Sequence, residues 1–126
     1  MLTVDIDSNS LEEALPCEGH FSGVFNNCTK LSKVYPLDFS GVTSLWNSFE
    51  SCSSLEEIRI MKLCNNLNIQ DSPSVSKISM LYIVNNATPT TTITITLHHD
   101  AYTRLADDTE ILSALTKQPL ITLVSA

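Results

Sequence analysis

The sequence predicts a mixed α/β fold in which short parallel strands stack into a solenoid with a helical C-terminal cap. Two observations predict this fold. The pattern Phe-x-x-Cys-x-x-Leu-x-x-(Val/Ile) occurs at residues 25–34 and again at residues 49–58. The last third of the chain then alternates between helical and strand-like hydrophobic periods. A repeat of this length buries its apolar face only by stacking on a neighbour, so the repetition favours a solenoid.

Composition and charge exclude several classes of protein. The chain has 126 residues, 43% hydrophobic and 17% charged, with a formal net charge of −7, which is typical of one packed globular domain. Its seven Lys and Arg residues form no basic stripe, so nucleic acid is not an expected partner. No apolar run reaches the roughly 18 residues that a membrane span needs.

The start of the sequence bears on localisation. The segment MLTVDIDSNS lacks the basic and long apolar parts of a signal peptide. We therefore expect either that the protein is not secreted or that a leader lies outside this sequence.

Aligning the chain with itself, so that the second copy of the pattern falls on the first, pairs apolar positions along the whole repeat. The aligned pairs are Phe21 and Leu45, Phe25 and Phe49, Cys28 and Cys52, Leu31 and Leu55, Val34 and Ile58, Leu37 and Met61, and Phe39 and Leu63. A third copy begins in register at Ile69 and then diverges, as a terminal capping repeat does. The predicted organisation is one domain, with a first strand and entry over 1–20, two repeats over 21–68 and a divergent capping repeat over 69–126.

Five strands are predicted, and long crossovers between them predict that they run parallel in one sheet. The segment TTTITITLH alternates between threonine and aliphatic residues, which is typical of a half-exposed strand. The predicted strands lie near residues 2–6, 31–36, 55–60, 92–97 and 120–124. In addition, SGVTSL and NNLNI are predicted as second extended stretches on the opposite side of their coils.

The first predicted strand has a consequence for assembly. The segment LTVDID at residues 2–7 is expected to leave one sheet edge with unpaired backbone groups. This edge predicts either that the chain continues N-terminally in a longer protein or that it pairs with a second copy as a homodimer.

Helices are predicted in the last third of the chain. Ser72 followed by Pro73 is a helix-start signal, and apolar residues at helical spacing continue from there through MLYIV. Asp100 is predicted to cap a short turn over AYTRL. Acidic residues crowd the start of TEILSALTKQ, where the helix dipole favours negative charge, and predict another helix.

The chain has four cysteines, at positions 17, 28, 52 and 64. None of them forms a C-x-x-C pair, so a tetrahedral zinc site is not expected. The repeat offers a different interpretation, in which cysteine serves as a compact hydrophobic residue. We therefore predict that Cys28 and Cys52 are buried, reduced thiols stacked one coil apart.

The segments FNNCTKLSKV, FSGVTSLWNSFESCSSLEEI and SPSVSKISMLYIVNNAT…TITITLHHDAYTRL resemble BspA-type leucine-rich repeat proteins, which are widespread in anaerobic bacteria. The resemblance covers roughly residues 21–126. It implies a short leucine-rich-repeat solenoid within a cell-surface or secreted protein concerned with adhesion. The partner that it implies is a host or extracellular protein.

The outward row of the predicted sheet is the candidate binding surface. Lys33 is predicted to lie beside Glu57, and Tyr35 beside Arg59, at the spacing of about 4.8 Å between strands. The first pair predicts an ion pair and the second a cation–π contact. The threonines of 92–96 are expected to extend the same face. The favoured function is a non-catalytic protein-interaction or adhesion module that uses these four residues; a solvated face without a partner is the other interpretation.

Reactive side chains suggest a function from another class. His98, His99 and Asp100 are consecutive, but adjacent strand residues point to opposite faces, so a structural capping role is favoured over a metal site. His20 lies three residues after Cys17 and could serve it as a base, although no nucleophile-elbow or oxyanion motif accompanies them. The alternatives to a binding module are therefore a small hydrolase or thiol enzyme that uses Cys17 with His20 or His98, and a structural spacer. No metal or cofactor is expected.

Overall fold

A computed structural model describes residues 15–20, 25–45 and 48–126 of the chain. For residues 15–20, Tyr35 and Ser44, only the backbone is described. Within these residues the fold is mixed α/β, with parallel strands in two small sheets and three helices.

The elements follow one another in the order β1, β2, β3, β4, α1, β5, α2, α3 and β6. Their bounds are Leu15–His20 (β1), Lys33–Ser44 (β2), Glu57–Met61 (β3), Leu67–Ile69 (β4), Lys77–Asn85 (α1), Ile93–Leu97 (β5), His99–Leu105 (α2), Thr109–Thr116 (α3) and Ile121–Ser125 (β6). Sheet A has the order β1-β2-β3, and sheet B has the order β4-β5-β6.

Every pair of neighbouring strands in the two sheets is parallel, which confirms the predicted strand direction. The prediction of one sheet is wrong. After β3 the chain turns at Lys62, where φ is 59°, and β4 then pairs with β5 instead of continuing sheet A. The predicted strand near 2–6, together with its open edge, lies outside the described residues.

The two copies of the repeat form the same turn ahead of their cysteines. The equivalent backbone hydrogen bonds are Cys28 N to Phe25 O at 3.1 Å, Cys52 N to Phe49 O at 3.2 Å, Leu31 N to Cys28 O at 3.1 Å, and Leu55 N to Cys52 O at 3.3 Å. Asn27 and Ser51, which occupy equivalent positions in the two copies, both have left-handed backbone, with φ of 62° and 63°. This conformation costs a non-glycine residue about 1–2 kcal/mol. Further hydrogen bonds hold it, from Asn27 N to Glu50 O at 2.8 Å and from Ser51 N to Asp71 Oδ2 at 2.9 Å.

Side chains from the two copies stack on each other. The rings of Phe25 and Phe49 have their centroids 5.4 Å apart and are inclined by 22°. The thiol of Cys52 donates to the carbonyl of Phe25 at 3.0 Å. Cys28 and Cys52 are both buried, and both are thiols, as is the half-buried Cys64. The prediction of buried thiols at 28 and 52 is confirmed.

We expect the Cys52 thiol to resist alkylation in the native protein. The pKa of the Cys52 thiol is raised to about 11. Burial is the largest cause, and the negative charge that a Cys28 thiolate would place beside it is the next. At about pH 8 the group is therefore protonated as well as inaccessible, and the thiolate is the reactive form. Labelling with N-ethylmaleimide followed by mass spectrometry should modify the half-buried Cys64 before Cys52, and Cys52 only on unfolding. Rapid labelling of Cys52, or a disulfide between Cys28 and Cys52, would contradict this arrangement.

The raised pKa of Cys52 also makes the stability of the fold fall as the pH rises. Because folding raises the pKa of Cys52 from 9.0 to about 11, the unfolded chain loses this proton first as the pH rises. The contribution of the thiol to stability is therefore complete below about pH 9 and is lost between about pH 9 and pH 11.

Helix α1 lies along the edge of β3, where a further strand would otherwise pair. Lys62 N donates to the carbonyl of Asn86 at 2.7 Å. Near the other end of β3, Ile58 N donates to the hydroxyl of the buried Ser79 at 3.0 Å. A side-chain oxygen of the helix thus replaces the carbonyl that a neighbouring strand would offer to this backbone N–H group.

Helix α1 begins later than the sequence predicts, at Lys77, with Ser76 as its N-cap. The Ser72–Pro73 pair does not start the helix. Ser72 is buried, and its hydroxyl donates to the carbonyl of Cys52 at 2.7 Å, so it belongs to the turn that packs on the preceding repeat. Long-range hydrogen bonding at this position overrides the local helix-start signal.

Side-chain contacts connect helix α1 to the α3 segment near both ends of α1. At the start, the Lys77 ammonium lies 3.0 Å from the carboxylate of Asp108, which is also the N-cap of α3. At the end, the side-chain amide of Gln118 donates to the carbonyls of Val84 and Ala87, at 3.1 and 3.0 Å. The Gln118 amide thus adds a donor to the carbonyl of Val84, which also accepts from Asn86 N, and supplies one to the carbonyl of Ala87 just beyond the helix.

Candidate functional site on sheet A and helix α1

Lys33 and Glu57 lie directly opposite each other in β2 and β3, as the sequence predicts. Lys33 is exposed and Glu57 is half-buried. Among the described residues, however, the ion pairs of Lys and Arg within 4.0 Å are those of Lys62 with Asp38 and of Lys77 with Asp108 and Glu110. The predicted adjacency is confirmed, and the predicted ion pair between Lys33 and Glu57 does not form.

The register between β2 and β3 shifts by one residue between Val34 and Leu37. Tyr35 and Pro36 of β2 consequently lie opposite a single residue of β3, Arg59, which is the arrangement of a β-bulge. Proline has no N–H group to donate to the strand ladder, and bulges are among the few places where a sheet accommodates it. Tyr35 therefore lies opposite Arg59, as predicted, but it shares this position with Pro36. Its side chain lies outside the described part of the chain, so the predicted cation–π contact between Tyr35 and Arg59 stays a prediction.

Arg59 lies over an aromatic ring of helix α1. Its guanidinium carbon is 6.0 Å from the centroid of Tyr82, within the range of a cation–π contact. Both side chains are half-buried. No ion pair among the described residues involves Arg59, so its donors are available to another molecule.

The sequence does not mark Tyr82 as a functional residue, because the third copy of the repeat diverges after its start at Ile69. One signal was present in the sequence. Tyr82 follows Arg59 at almost the same spacing as that between the two copies of the repeat. Only the replacement of a strand by a helix explains why the aromatic ring, and not a strand residue, meets Arg59.

Ile78 continues this surface on the outside of α1. Its side chain is 68% exposed, the highest value for a large hydrophobic residue in the described ranges. It precedes Tyr82 by four residues, so the two side chains lie one above the other on the helix. We refer to Ile78, Tyr82 and Arg59 as the strand–helix patch; Lys33 and Glu57 flank it in sheet A.

The outward threonines belong to the other sheet. Thr94 pairs with Thr122, and Thr96 lies between Asn68 and Val124, all in sheet B. The prediction that the threonines of 92–96 extend the Lys33 face is therefore wrong. The physical reason is that helix α1 occupies the free edge of β3, and β5 pairs with β4 in the other sheet.

The reactive-looking residues have a structural role where they are described. His98 is the N-cap of α2, and its Nδ1 accepts a hydrogen bond from Asp100 N at 3.0 Å. The predicted capping role is confirmed, with His98 and not Asp100 as the capping residue. The side chains of Cys17 and His20 lie outside those that the structure describes, so the thiol-enzyme hypothesis stays a prediction.

Two further features of the described residues bear on function. No group of three or more His, Cys, Asp or Glu side chains among them is arranged to hold a metal ion. None of the helices in this part of the chain is long and apolar enough to cross a membrane.

Comparison with known proteins gave no significant match to a protein family, a curated protein or a solved structure. The resemblance to BspA-type leucine-rich repeats accordingly stays a prediction that is based on the quoted segments.

Proposed function

We propose that this chain is a non-catalytic protein-interaction or adhesion module, built as a short leucine-rich-repeat solenoid within a cell-surface protein. The strand–helix patch is the observation that carries the proposal. It combines an exposed aliphatic side chain, an aromatic ring and an arginine without an ion-pair partner among the described residues. Aromatic residues and arginine dominate the energetics of protein interfaces.

The solenoid part of the proposal is supported by the repeated turns. Equivalent hydrogen bonds recur in both copies of the repeat, and Phe25 of the first copy stacks on Phe49 of the second. In a solenoid each coil contacts only its neighbours. Strand β3 fits this expectation, since it pairs with β2 on one side and lies against α1 on the other.

The proposed binding site comprises the strand–helix patch together with the predicted residues Lys33, Tyr35 and Glu57. The patch supplies the anchors. Lys33 and Glu57 are charged and lie beside it, so they influence register and association rate more than affinity. Tyr35 belongs to the site through its position in the bulge opposite Arg59.

Replacing Arg59 and Ile78 together by alanine is expected to leave the fold intact, because Ile78 is exposed and Arg59 lies on the outside of the sheet. Binding to a partner isolated with the wild-type chain should weaken by at least about 2 kcal/mol, as for interface anchors generally. Isothermal titration calorimetry with the purified partner measures the change. Tyr35→Ala is expected to weaken the same complex.

The matched control is the double variant Thr94→Ala and Thr122→Ala, which alters the outer side of sheet B. It should bind the partner as the wild type does. Equal weakening by this control and by the Arg59 and Ile78 variant would show that the patch is not the binding surface.

The enzyme alternative is tested with the same material. Cys17→Ala and His98→Asn should leave the biological activity unchanged; asparagine at 98 is chosen because it is also a good N-cap residue. If either substitution abolishes activity while the patch variants have no effect, the chain is an enzyme that uses Cys17 or His98, and the proposed function is wrong.

A further inference from the structure

A cleft of about 470 Å³ opens beside the turn of the second repeat. It is lined by Phe49, Glu50, Asn68, Gln70 and Asp71. This volume falls within the roughly 300–1,000 Å³ that small-molecule sites occupy. Phe49 is buried, so the accessible side chains among these described lining residues end in carboxylate and carboxamide groups.

Two of the polar side chains in this Glu50–Asp71 cleft are held in place by backbone groups. Asp71 Oδ2 accepts from Ser51 N at 2.9 Å, and Asn68 Oδ1 accepts from Gln70 N at 2.9 Å. These bonds leave Asp71 Oδ1 as an acceptor and Asn68 Nδ2 as a donor. The cleft therefore presents both acceptors and donors on side chains whose orientation is set before a ligand arrives, which lowers the entropy cost of binding.

The chemistry of the lining selects one class of ligand. The carboxylates of Glu50 and Asp71 repel anions, and a largely polar lining offers little to an apolar molecule. The donor at Asn68 Nδ2 disfavours a bare metal cation. A hydroxyl group both donates and accepts hydrogen bonds, and so matches the mixture of carboxylates and amides. We infer that the Glu50–Asp71 cleft binds a neutral saccharide.

The test uses the full chain and a panel of neutral probes: the methyl glycosides of glucose, galactose and mannose, with maltose, lactose and mannobiose. Saturation-transfer NMR should detect saturable binding of at least one probe, with a Kd in the millimolar range or below. The variants are Asp71→Asn, whose amide oxygen can still accept from Ser51 N, and Gln70→Ala, which truncates an exposed side chain. Each should weaken binding about tenfold, the loss expected for one hydrogen bond.

Ser113→Ala is the matched control, because Ser113 is an exposed residue of α3 that does not line the cleft; this variant should bind the probe as the wild type does. Absence of binding by every probe at about 10 mM would overturn the inference. Binding that Asp71→Asn and Gln70→Ala leave unaffected, or binding that requires added Ca²⁺, would also overturn it. None of these outcomes bears on the partner assay for Arg59 and Ile78, so the two proposals fail independently.

Discussion

Replacing Phe49 with alanine is expected to lower the free energy of unfolding by about 3–5 kcal/mol, the usual cost of removing a buried aromatic side chain. Phe49 is only 1% exposed, and its ring stacks on that of Phe25 from the preceding repeat. The substitution removes the apolar contact between two neighbouring coils and leaves a cavity between them. Since a domain of this kind has only about 5–15 kcal/mol of stability, much of it would be lost.

Urea denaturation followed by circular dichroism measures this change, with Leu112→Ala as the control. Leu112 is a large hydrophobic residue of α3 whose side chain is 47% exposed, so its truncation should cost less than about 1 kcal/mol. A loss at Phe49 as small as that at Leu112 would mean that the stacked phenylalanines do not hold the repeats together.

Replacing Ser79 with alanine is expected to destabilise the protein by about 1–3 kcal/mol, because it leaves a buried backbone donor without its acceptor. The Ser79 hydroxyl accepts from Ile58 N at 3.0 Å and also lies 2.9 Å from the hydroxyl of Ser76. Alanine is a better helix former than serine by a few tenths of a kcal/mol. A net loss of stability therefore reports both hydrogen bonds that the Ser79 hydroxyl accepts, from Ile58 N and from the Ser76 hydroxyl.

Ser113→Ala is the matched control, since Ser113 is an exposed residue of α3. It should be neutral or slightly stabilising for the same reason of helix propensity. Hydrogen exchange gives a local readout: the amide of Ile58 should exchange faster in Ser79→Ala and at the wild-type rate in Ser113→Ala. An unchanged rate at Ile58 in Ser79→Ala would contradict the role assigned to the hydroxyl.

Helix α1 connects these results to the proposed binding surface. It lies where the next strand of sheet A would lie, and it brings Tyr82 under Arg59 and exposes Ile78 beside it. A strand in this place would alternate its side chains between the core and solvent. The helix instead buries Met80 and Ile83 while it leaves Ile78 exposed and Tyr82 half-buried. The change from strand to helix therefore creates the patch.

The sequence alone determined the features that depend on short stretches of chain. The repeated Phe-x-x-Cys-x-x-Leu pattern predicted the burial of Cys28 and Cys52, and the long crossovers predicted the parallel direction of the strands. The alternation of ITITL predicted β5 almost to its ends. These features follow from local hydrophobic period and turn chemistry, because the residues that decide them are neighbours in the chain.

Only the tertiary structure decided how the coils meet. The division into two sheets, the bulge at Tyr35 and Pro36, and the contact of Arg59 with Tyr82 all depend on register between distant segments. In β2 the bulge adds Pro36 beside Tyr35 opposite Arg59, while Val34 and Leu37 on either side of it stay buried. The hydrophobic pattern identifies which residues face the core. The pairing of outward residues is set by hydrogen bonds between distant segments, such as that from Ile58 N to the Ser79 hydroxyl. The local sequence does not encode these hydrogen bonds.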